Sequence, residues 1–152
     1  VEFQDILSSD RIRIFPKGSK KKEVLLVLIG LLGAAPEIGN QVELREAIFR
    51  REDLMSTGIG LGIAVPHVRL ETVSRLIMAL GICPDGIEDY ESLDGEPVKI
   101  ICMIAAGRYQ HRHYLKVLSS ISGELKNADL RSRLCAAADG KVAFRIITVE
   151  EG

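Results

Sequence analysis

The chain has 152 residues, of which 47% are hydrophobic and 27% charged, and its formal net charge is −1. This size and composition are typical of one globular domain with a substantial core, and the balanced charge gives no support for a nucleic acid as a partner. Three cysteines lie far apart in apolar or helical runs, at Cys83, Cys102 and Cys135. They indicate small core residues in a reducing compartment rather than disulfides or a zinc site, which favours a cytoplasmic protein.

The first half of the chain predicts one strand and two helices. Alternating apolar residues predict a strand over 10–15, and a Pro-Lys-Gly turn follows it. Apolar residues at helical spacing predict a helix over 20–32 with Ser19 as its N-cap, and a second helix over 42–53. Because the apolar run of the first helix is too short to span a bilayer, we expect no direct membrane insertion.

The second half predicts strands over 63–65, 75–82 and 98–106, the last apolar enough to be buried on both faces. An acidic loop over 87–95 is expected to be a solvated turn or, alternatively, a rim that orients a basic partner. Three helices are predicted, over 110–126, 129–138 and 141–148. Helices packed on a sheet with central apolar strands predict an α/β or α+β class and a single domain over 1–152.

A glycine-rich stretch over 56–67 ends in a Pro-His pair and is the strongest candidate for a functional site. Its glycines allow close approach of a backbone or a bound anion, to which the loop can offer backbone N–H groups. Pro66 is expected to end the preceding strand, which leaves His67 at a strand end beside the loop. On these residues alone two interpretations stay open: a histidine that carries chemistry on an anion, or a half-buried histidine whose nitrogens are hydrogen-bonded.

The same stretch resembles the active-site signature of the type-2 enzyme IIA domains of the bacterial phosphoenolpyruvate-dependent phosphotransferase system. This is the fructose/mannitol class with its nitrogen-regulatory relatives. Further segments follow in the family's order, namely Ile6-Leu7-Ser8-Ser9, Ser19-Lys20, Arg51-Glu52, Leu93 to Val98 and Ile146-Ile147-Thr148. The segment over 93–98 and the C-terminal run are most similar to the nitrogen-regulatory branch. The resemblance implies a mixed five-stranded sheet with helices on both faces.

The resemblance also implies a function. His67 would accept a phosphoryl group from the histidine phosphocarrier protein HPr or its nitrogen-branch counterpart, without a cofactor. It would pass the group to an enzyme IIB of sugar transport, or keep it as a regulatory mark. The alternative is a non-catalytic binding module on the same fold that acts through protein–protein contacts. The sequence has neither a nucleophile-elbow serine nor a Walker-type loop, which argues against a hydrolase or a nucleotide-binding protein.

Histidine suits phosphoryl transfer because its ordinary pKa of about 6.5 leaves a neutral, nucleophilic nitrogen at cell pH. We expect the other ring nitrogen of His67 to be fixed by a backbone carbonyl. The resemblance places Arg51 beside His67, where a guanidinium would match phosphate oxygens; otherwise Arg51 is a solvated cation at a helix C-terminus. Thr57, Gly58 and Gly60 are further candidates to bind phosphate, and Thr57 is an equally good candidate to cap a turn.

Two positions depart from the family pattern. Val68 stands where a small residue is usual and adds bulk beside the nucleophile. Tyr114 stands where a second active-site histidine is common, while His111 lies one helical turn earlier on the same face. Three interpretations stay open: Tyr114 binds the phosphate through its hydroxyl, His111 reaches in, or the second site is lost. His111 and His113 diverge on a helix, so we expect no metal site.

Overall fold

A computed structural model describes the backbone of residues 3–151 and the side chains of residues 3–149. The predicted domain bounds, 1 and 152, lie outside the described residues. The strands are β1 (Ile12–Ile14), β2 (Gly58–Gly60), β3 (Ile63–Ala64), β4 (His67–Leu70), β5 (Ile77–Ile87) and β6 (Val98–Gly107). The helices are α1 (Lys21–Gly33), α2 (Gln41–Leu54), α3 (His111–Glu124), α4 (Ala128–Cys135) and α5 (Gly140–Glu151). Short 3₁₀ turns cover Phe3–Asp5 and Ser9–Arg11.

All six strands belong to one mixed sheet, in the order β1-β5-β6-β3-β2, with β4 also paired to β6. The long strands β5 and β6 run antiparallel at its centre, while β1 is parallel to β5, and β3 and β4 are parallel to β6. Ile63 lies opposite Ile100 and His67 opposite Ile104, so β3 and β4 keep one register along β6. Because β3 and β4 lie end to end along β6, the six strands occupy five positions across the sheet. The predicted mixed α/β class is confirmed.

The sheet separates two apolar cores because side chains alternate along its central strands. One core contains Met78 and Cys102 and is covered by α3, α4 and α5. The other contains Ala79 and Met103 and is covered by α1 and α2. Helices therefore cover both faces, as predicted. Among the described residues, no helix is both long and apolar enough to cross a bilayer.

The helices agree with prediction to within a few residues, and the differences have local causes. Ser19 is not the N-cap of α1: its hydroxyl donates 2.8 Å to the Pro16 carbonyl, and Lys20 occupies the cap position. The strand predicted over 75–82 continues to Ile87 instead of ending at the Cys-Pro-Asp-Gly sequence. The pairing of β5 with β6 shifts register between Ile82 and Ile87, so the chain forms a bulge at this sequence and stays in the sheet.

Candidate functional site

His67 is positioned by a break in the sheet between β3 and β4. Pro66 has no backbone N–H, but its carbonyl accepts a 2.9 Å hydrogen bond from the Ile104 N–H, so the ladder resumes at once. The strand before Pro66 ends as expected, with β3 stopping at Ala64, but pairing with β6 resumes directly and His67 begins the new strand β4. The break leaves the Val65 carbonyl free of the ladder, and it faces the His67 ring.

The His67 ring is held by that carbonyl. Nδ1 lies 2.6 Å from the Val65 oxygen, which confirms the predicted backbone partner. A carbonyl can only accept, so Nδ1 carries the hydrogen and Nε2 keeps its lone pair. Partial burial lowers the pKa of His67, as does the nearby positive charge of Arg51, while the Val65 carbonyl and the Glu52 charge raise it. Because burial is the largest of these effects, the pKa of His67 is lowered overall, which favours the neutral ring with its lone pair on Nε2.

His67 opens into a cleft of about 540 Å³ at the sheet edge, between α2 and the first turn of α3. The cleft is lined by four arginines, by His67 and Tyr114, and by four apolar residues: Arg50, Arg51, Arg69, Arg108, His67, Tyr114, Ala47, Leu54, Val68 and Leu70. Among the side chains of residues 3–149, no carboxylate belongs to this lining. A cleft lined by guanidinium groups attracts anions and raises their local concentration.

Arg51 reaches the cleft from the last turn of α2. Its Nη1 donates 2.8 Å to the Met55 carbonyl just beyond the helix, which uses one of its five donors and fixes the direction of the side chain. Its positive charge adds to the lowering of the His67 pKa that burial causes, and it opposes in part the rise that burial causes in the pKa of Tyr114. The structure thus brings Arg51 and His67 together, as the sequence predicts.

Tyr114 faces His67 from α3, with the two ring centroids 5.5 Å apart and tilted by 53°. Its side chain is only 8% exposed, and burial raises its pKa to about 12. The phenol therefore keeps its proton at neutral pH and can donate a hydrogen bond to an anion in the cleft.

His111 does not line the cleft; it contacts Arg69 instead. The Arg69 Nη1 donates to the His111 Nδ1 at 2.8 Å, and the same guanidinium lies 5.6 Å from the centroid of the Tyr114 ring. Arg69 is a cleft residue that the sequence reasoning missed. Since β4 was not predicted, there was no reason to place residues 67 and 69 on one face of a strand. Val68, between them, is buried among the core side chains under α1 and α2.

The glycine stretch does not reach the cleft. Gly58 and Gly60 form β2, and a side chain at Gly58 would lie 2.2 Å from the Glu91 carbonyl oxygen. At the following turn, the Leu61 N–H donates 2.9 Å to the Asp94 carboxylate. The acidic loop therefore supplies the anion that the Leu61 N–H binds, and Gly58 and Gly60 do not line the cleft, which corrects the expectation that the stretch offers its N–H groups beside His67.

Thr57 is also withdrawn from the cleft. Its side chain is 4% exposed, and its hydroxyl donates to the carboxylate of Glu52, which is itself 6% exposed. The Tyr90 hydroxyl lies 3.0 Å from the same Thr57 oxygen, and Lys21 pairs with Glu52 at 3.1 Å. This group of four side chains, here called the Glu52 network, was not predicted from the sequence.

No metal centre is evident at or near the cleft. Within residues 3–149 no group of three or more His, Cys, Asp or Glu side chains is arranged to hold a metal ion. His113 is exposed on α3, apart from the His111–Arg69 pair.

A family model described as the phosphoenolpyruvate-dependent sugar phosphotransferase system, EIIA 2, matches residues 5–149. The chain belongs to this family. It is 33% identical to the fructose-specific EIIABC component of Bacillus subtilis over 97% of its length, and 32% identical to a nitrogen regulatory protein of Pseudomonas aeruginosa over 97% of its length. The chain spans 23% of the first relative and 95% of the second. The predicted family is confirmed, and relatives of both the fructose and the nitrogen-regulatory branches match.

Two solved structures share the fold. The nitrogen regulatory protein IIA-Ntr from Neisseria meningitidis aligns with a TM-score of 0.81 and 25% identity, covering 95% of this chain and 97% of that one. Enzyme IIA-Mtl of Escherichia coli, solved in complex with phosphorylated enzyme IIB-Mtl, aligns with a TM-score of 0.76 and 22% identity, covering 93% and 96%. The mixed sheet with helices on both faces is thus the fold of phosphotransferase-system IIA proteins.

Proposed function

We propose that the chain is a phosphoryl-transfer component of the phosphotransferase system and that His67 Nε2 is the acceptor atom. One observation carries this proposal: Nδ1 is hydrogen-bonded to the Val65 carbonyl, so the remaining lone pair lies in a cleft lined by arginines and no carboxylate. The chain acts as one domain of this class over 1–152, and its reaction needs no cofactor.

The proposed step is a direct displacement at phosphorus. The Nε2 lone pair forms the new P–N bond while the P–N bond of the donor phosphohistidine breaks, and the released electron pair returns to the donor ring. The Nδ1 proton stays on the Val65 side, where the carbonyl stabilises the positive charge that the phosphorylated ring carries. Such a transfer needs positioning and charge stabilisation more than covalent help from the protein.

Arg51 and Tyr114 are the proposed phosphate ligands. The Arg51 guanidinium matches two phosphoryl oxygens, and the protonated Tyr114 hydroxyl donates to the third. This assignment is supported by the positions of Arg51 and Tyr114, which line the same cleft as His67. Arg69 adds positive charge, while His111 acts on the site by holding Arg69. Thr57, Gly58 and Gly60 are left out of this set, because the Thr57 hydroxyl donates to Glu52, the Gly58 N–H is directed at the Ser56 hydroxyl, and none of the three lines the cleft.

The donor in this proposal is the histidine phosphocarrier protein HPr or its nitrogen-branch counterpart, and the acceptor is an enzyme IIB or a regulated protein. The solved complex of enzyme IIA-Mtl with phosphorylated enzyme IIB-Mtl supports an acceptor of the IIB kind, through the shared fold. The positive cleft suits a protein partner whose phosphorylated side chain is an anion.

A regulatory function is the second candidate. The nitrogen regulatory relative spans nearly the same length as this chain, and Tyr114 replaces the usual second histidine. In this case the phosphoryl group on His67 is a mark that changes partner binding and is not passed on. The two candidates differ in whether phosphorylated protein transfers its group to a IIB cysteine within the time of the assay.

The test begins with incubation of the protein with phosphoenolpyruvate, enzyme I and phosphocarrier, followed by intact-mass measurement. We expect an acid-labile gain of one phosphoryl group that disappears in His67→Ala. No gain in the wild type, or a gain that persists in His67→Ala, would overturn the proposal. Addition of a IIB domain then distinguishes the two candidate functions. Transfer of the phosphoryl group to IIB indicates a phosphoryl-transfer component, and its retention on this chain indicates a regulatory function.

A further inference from the structure

The Glu52 network is the one place where the core buries a carboxylate. Among the described residues, Glu52 and Thr57 are the buried polar or charged side chains. Burial of a carboxylate costs free energy unless hydrogen bonds and a partner charge compensate for it, and here Lys21 and the Thr57 hydroxyl do so. Replacement by apolar residues of similar volume is often neutral for stability, so stability alone does not account for this arrangement.

A chain of hydrogen bonds leads from Glu52 to the reacting ring. The carboxylate accepts from the Thr57 N–H at 3.3 Å as well as from its hydroxyl. The Thr57 carbonyl then accepts from the Val65 N–H at 3.0 Å. The Val65 carbonyl, in turn, holds the His67 Nδ1 at 2.6 Å. The buried carboxylate thus holds Thr57, and the Thr57 carbonyl in turn holds Val65, the residue that carries the tautomer-selecting oxygen.

We propose that Glu52 is a positioning residue for His67, acting through Thr57 and the Val65 carbonyl. It holds the segment after α2 against β3, keeps the Val65 oxygen aimed at Nδ1, and thereby keeps Nε2 as the nucleophile. The inference rests on the proposed function, because His67 has to be the acceptor for its positioning to matter. Glu52 itself lies on the α1 side and is absent from the lining of the cleft.

The test compares Glu52→Gln with Tyr90→Phe. Glutamine keeps the length of the side chain but loses the charge and places an amide donor against the Thr57 hydroxyl. Tyr90→Phe removes the hydroxyl that contacts Thr57 at 3.0 Å and leaves the Glu52–Thr57 bonds in place, so it is the matched control. Nitrogen-15 NMR of the His67 ring reports the fraction of the Nδ1–H tautomer, and rapid-quench assays report the phosphorylation rate.

We expect a mixture of tautomers in Glu52→Gln and a phosphorylation rate lower by about 10- to 100-fold, the usual effect of small misplacement of a reacting group. Tyr90→Phe should keep the wild-type tautomer. If Glu52→Gln fails to fold, Thr57→Val takes its place: it deletes the contacts of the Thr57 hydroxyl with Glu52 and Tyr90 and keeps the backbone N–H, and Tyr90→Phe controls for the loss of the Tyr90 contact. Thr57→Ser should restore the wild-type tautomer. A wild-type tautomer in Glu52→Gln or, when that variant does not fold, in Thr57→Val overturns the inference.

The tautomer is measured on unphosphorylated protein, so failure of the positioning role can be distinguished from failure of the proposed function. A wild-type chain that takes up no phosphoryl group overturns the proposed function, whatever the NMR result. Normal phosphorylation together with an unchanged tautomer in Glu52→Gln overturns only the positioning role.

Discussion

Two adjacent regions of the chain have sequences typical of anion-binding sites, but their polar groups have different partners in the structure. At the glycine hairpin formed by β2 and β3, the Leu61 N–H already binds the Asp94 carboxylate of the chain itself. At the cleft that begins with His67, no carboxylate of the described side chains is in the lining. Arg51 binds a backbone carbonyl there, Arg69 binds His111, and Arg108 pairs with the solvent-exposed Glu71. The lesson is that glycine-rich backbone makes an anion site only where no internal anion reaches it first.

The largest effect on the cleft side of this comparison is expected from Arg51→Met. Loss of a charge-assisted donor at a developing phosphate charge lowers the rate of His67 phosphorylation by about 100-fold. Arg45→Met is the matched control, because Arg45 is an exposed arginine on the same helix that lines a different groove. Equal rates for the two variants in a rapid-quench assay would contradict a phosphate-binding role for Arg51.

The pH dependence of phosphorylation should follow the lowered pKa of His67. Protonation removes the Nε2 lone pair, so the rate falls about tenfold per pH unit below that pKa and is constant above the ordinary value of about 6.5. Stability should change with pH in the same direction as the rate. His67 has a lower pKa in the folded chain than in the unfolded chain, so the unfolded chain binds the proton more readily. The free energy of unfolding therefore rises with pH between the pKa of the folded state and the ordinary pKa. A rate that falls only at alkaline pH would contradict this assignment.

A smaller effect is expected from Tyr114→Phe, which deletes one hydrogen-bond donor and keeps the ring. The phosphorylation rate should fall by about tenfold or less. His111→Ala should lower the rate less than Tyr114→Phe, since His111 acts only through Arg69. The reverse order in the same assay would favour the interpretation in which His111 itself reaches the phosphate. No effect of either change would indicate that the second site is lost.

The smallest effect on chemistry is expected at the glycine hairpin. Asp94→Asn removes the negative charge that the Leu61 and Glu96 N–H groups stabilise; these hydrogen bonds now lower the pKa of Asp94. We expect a slightly lower melting temperature and a phosphorylation rate within about twofold of the wild type. A large loss of phosphorylation would mean that the hairpin, and not only the cleft, handles the phosphoryl group.

Local pattern was enough to predict most of the fold, and the family resemblance was needed to predict the centre of the site. Apolar periodicity gave the helices, and the unbroken apolar run over 98–106 gave the central strand. His67, Arg51 and Tyr114 were all predicted and lie together at the cleft. Strand β4 was not predicted, because no strand was expected directly after Pro66. Without β4, the position of Arg69 beside His67 could not be predicted either. The Glu52 network depends on which residues the packed helices α1 and α2 bury, which no local spacing reveals.

The most direct test of the central claim is the atom to which phosphorus is attached. Nitrogen-15 and phosphorus-31 NMR of the phosphorylated protein distinguish the two nitrogens of a histidine ring. The structure predicts a single phosphohistidine at His67 with phosphorus on Nε2, since the Val65 carbonyl occupies Nδ1. Phosphorus on Nδ1 of His67, or on His111 or His113, would contradict the account.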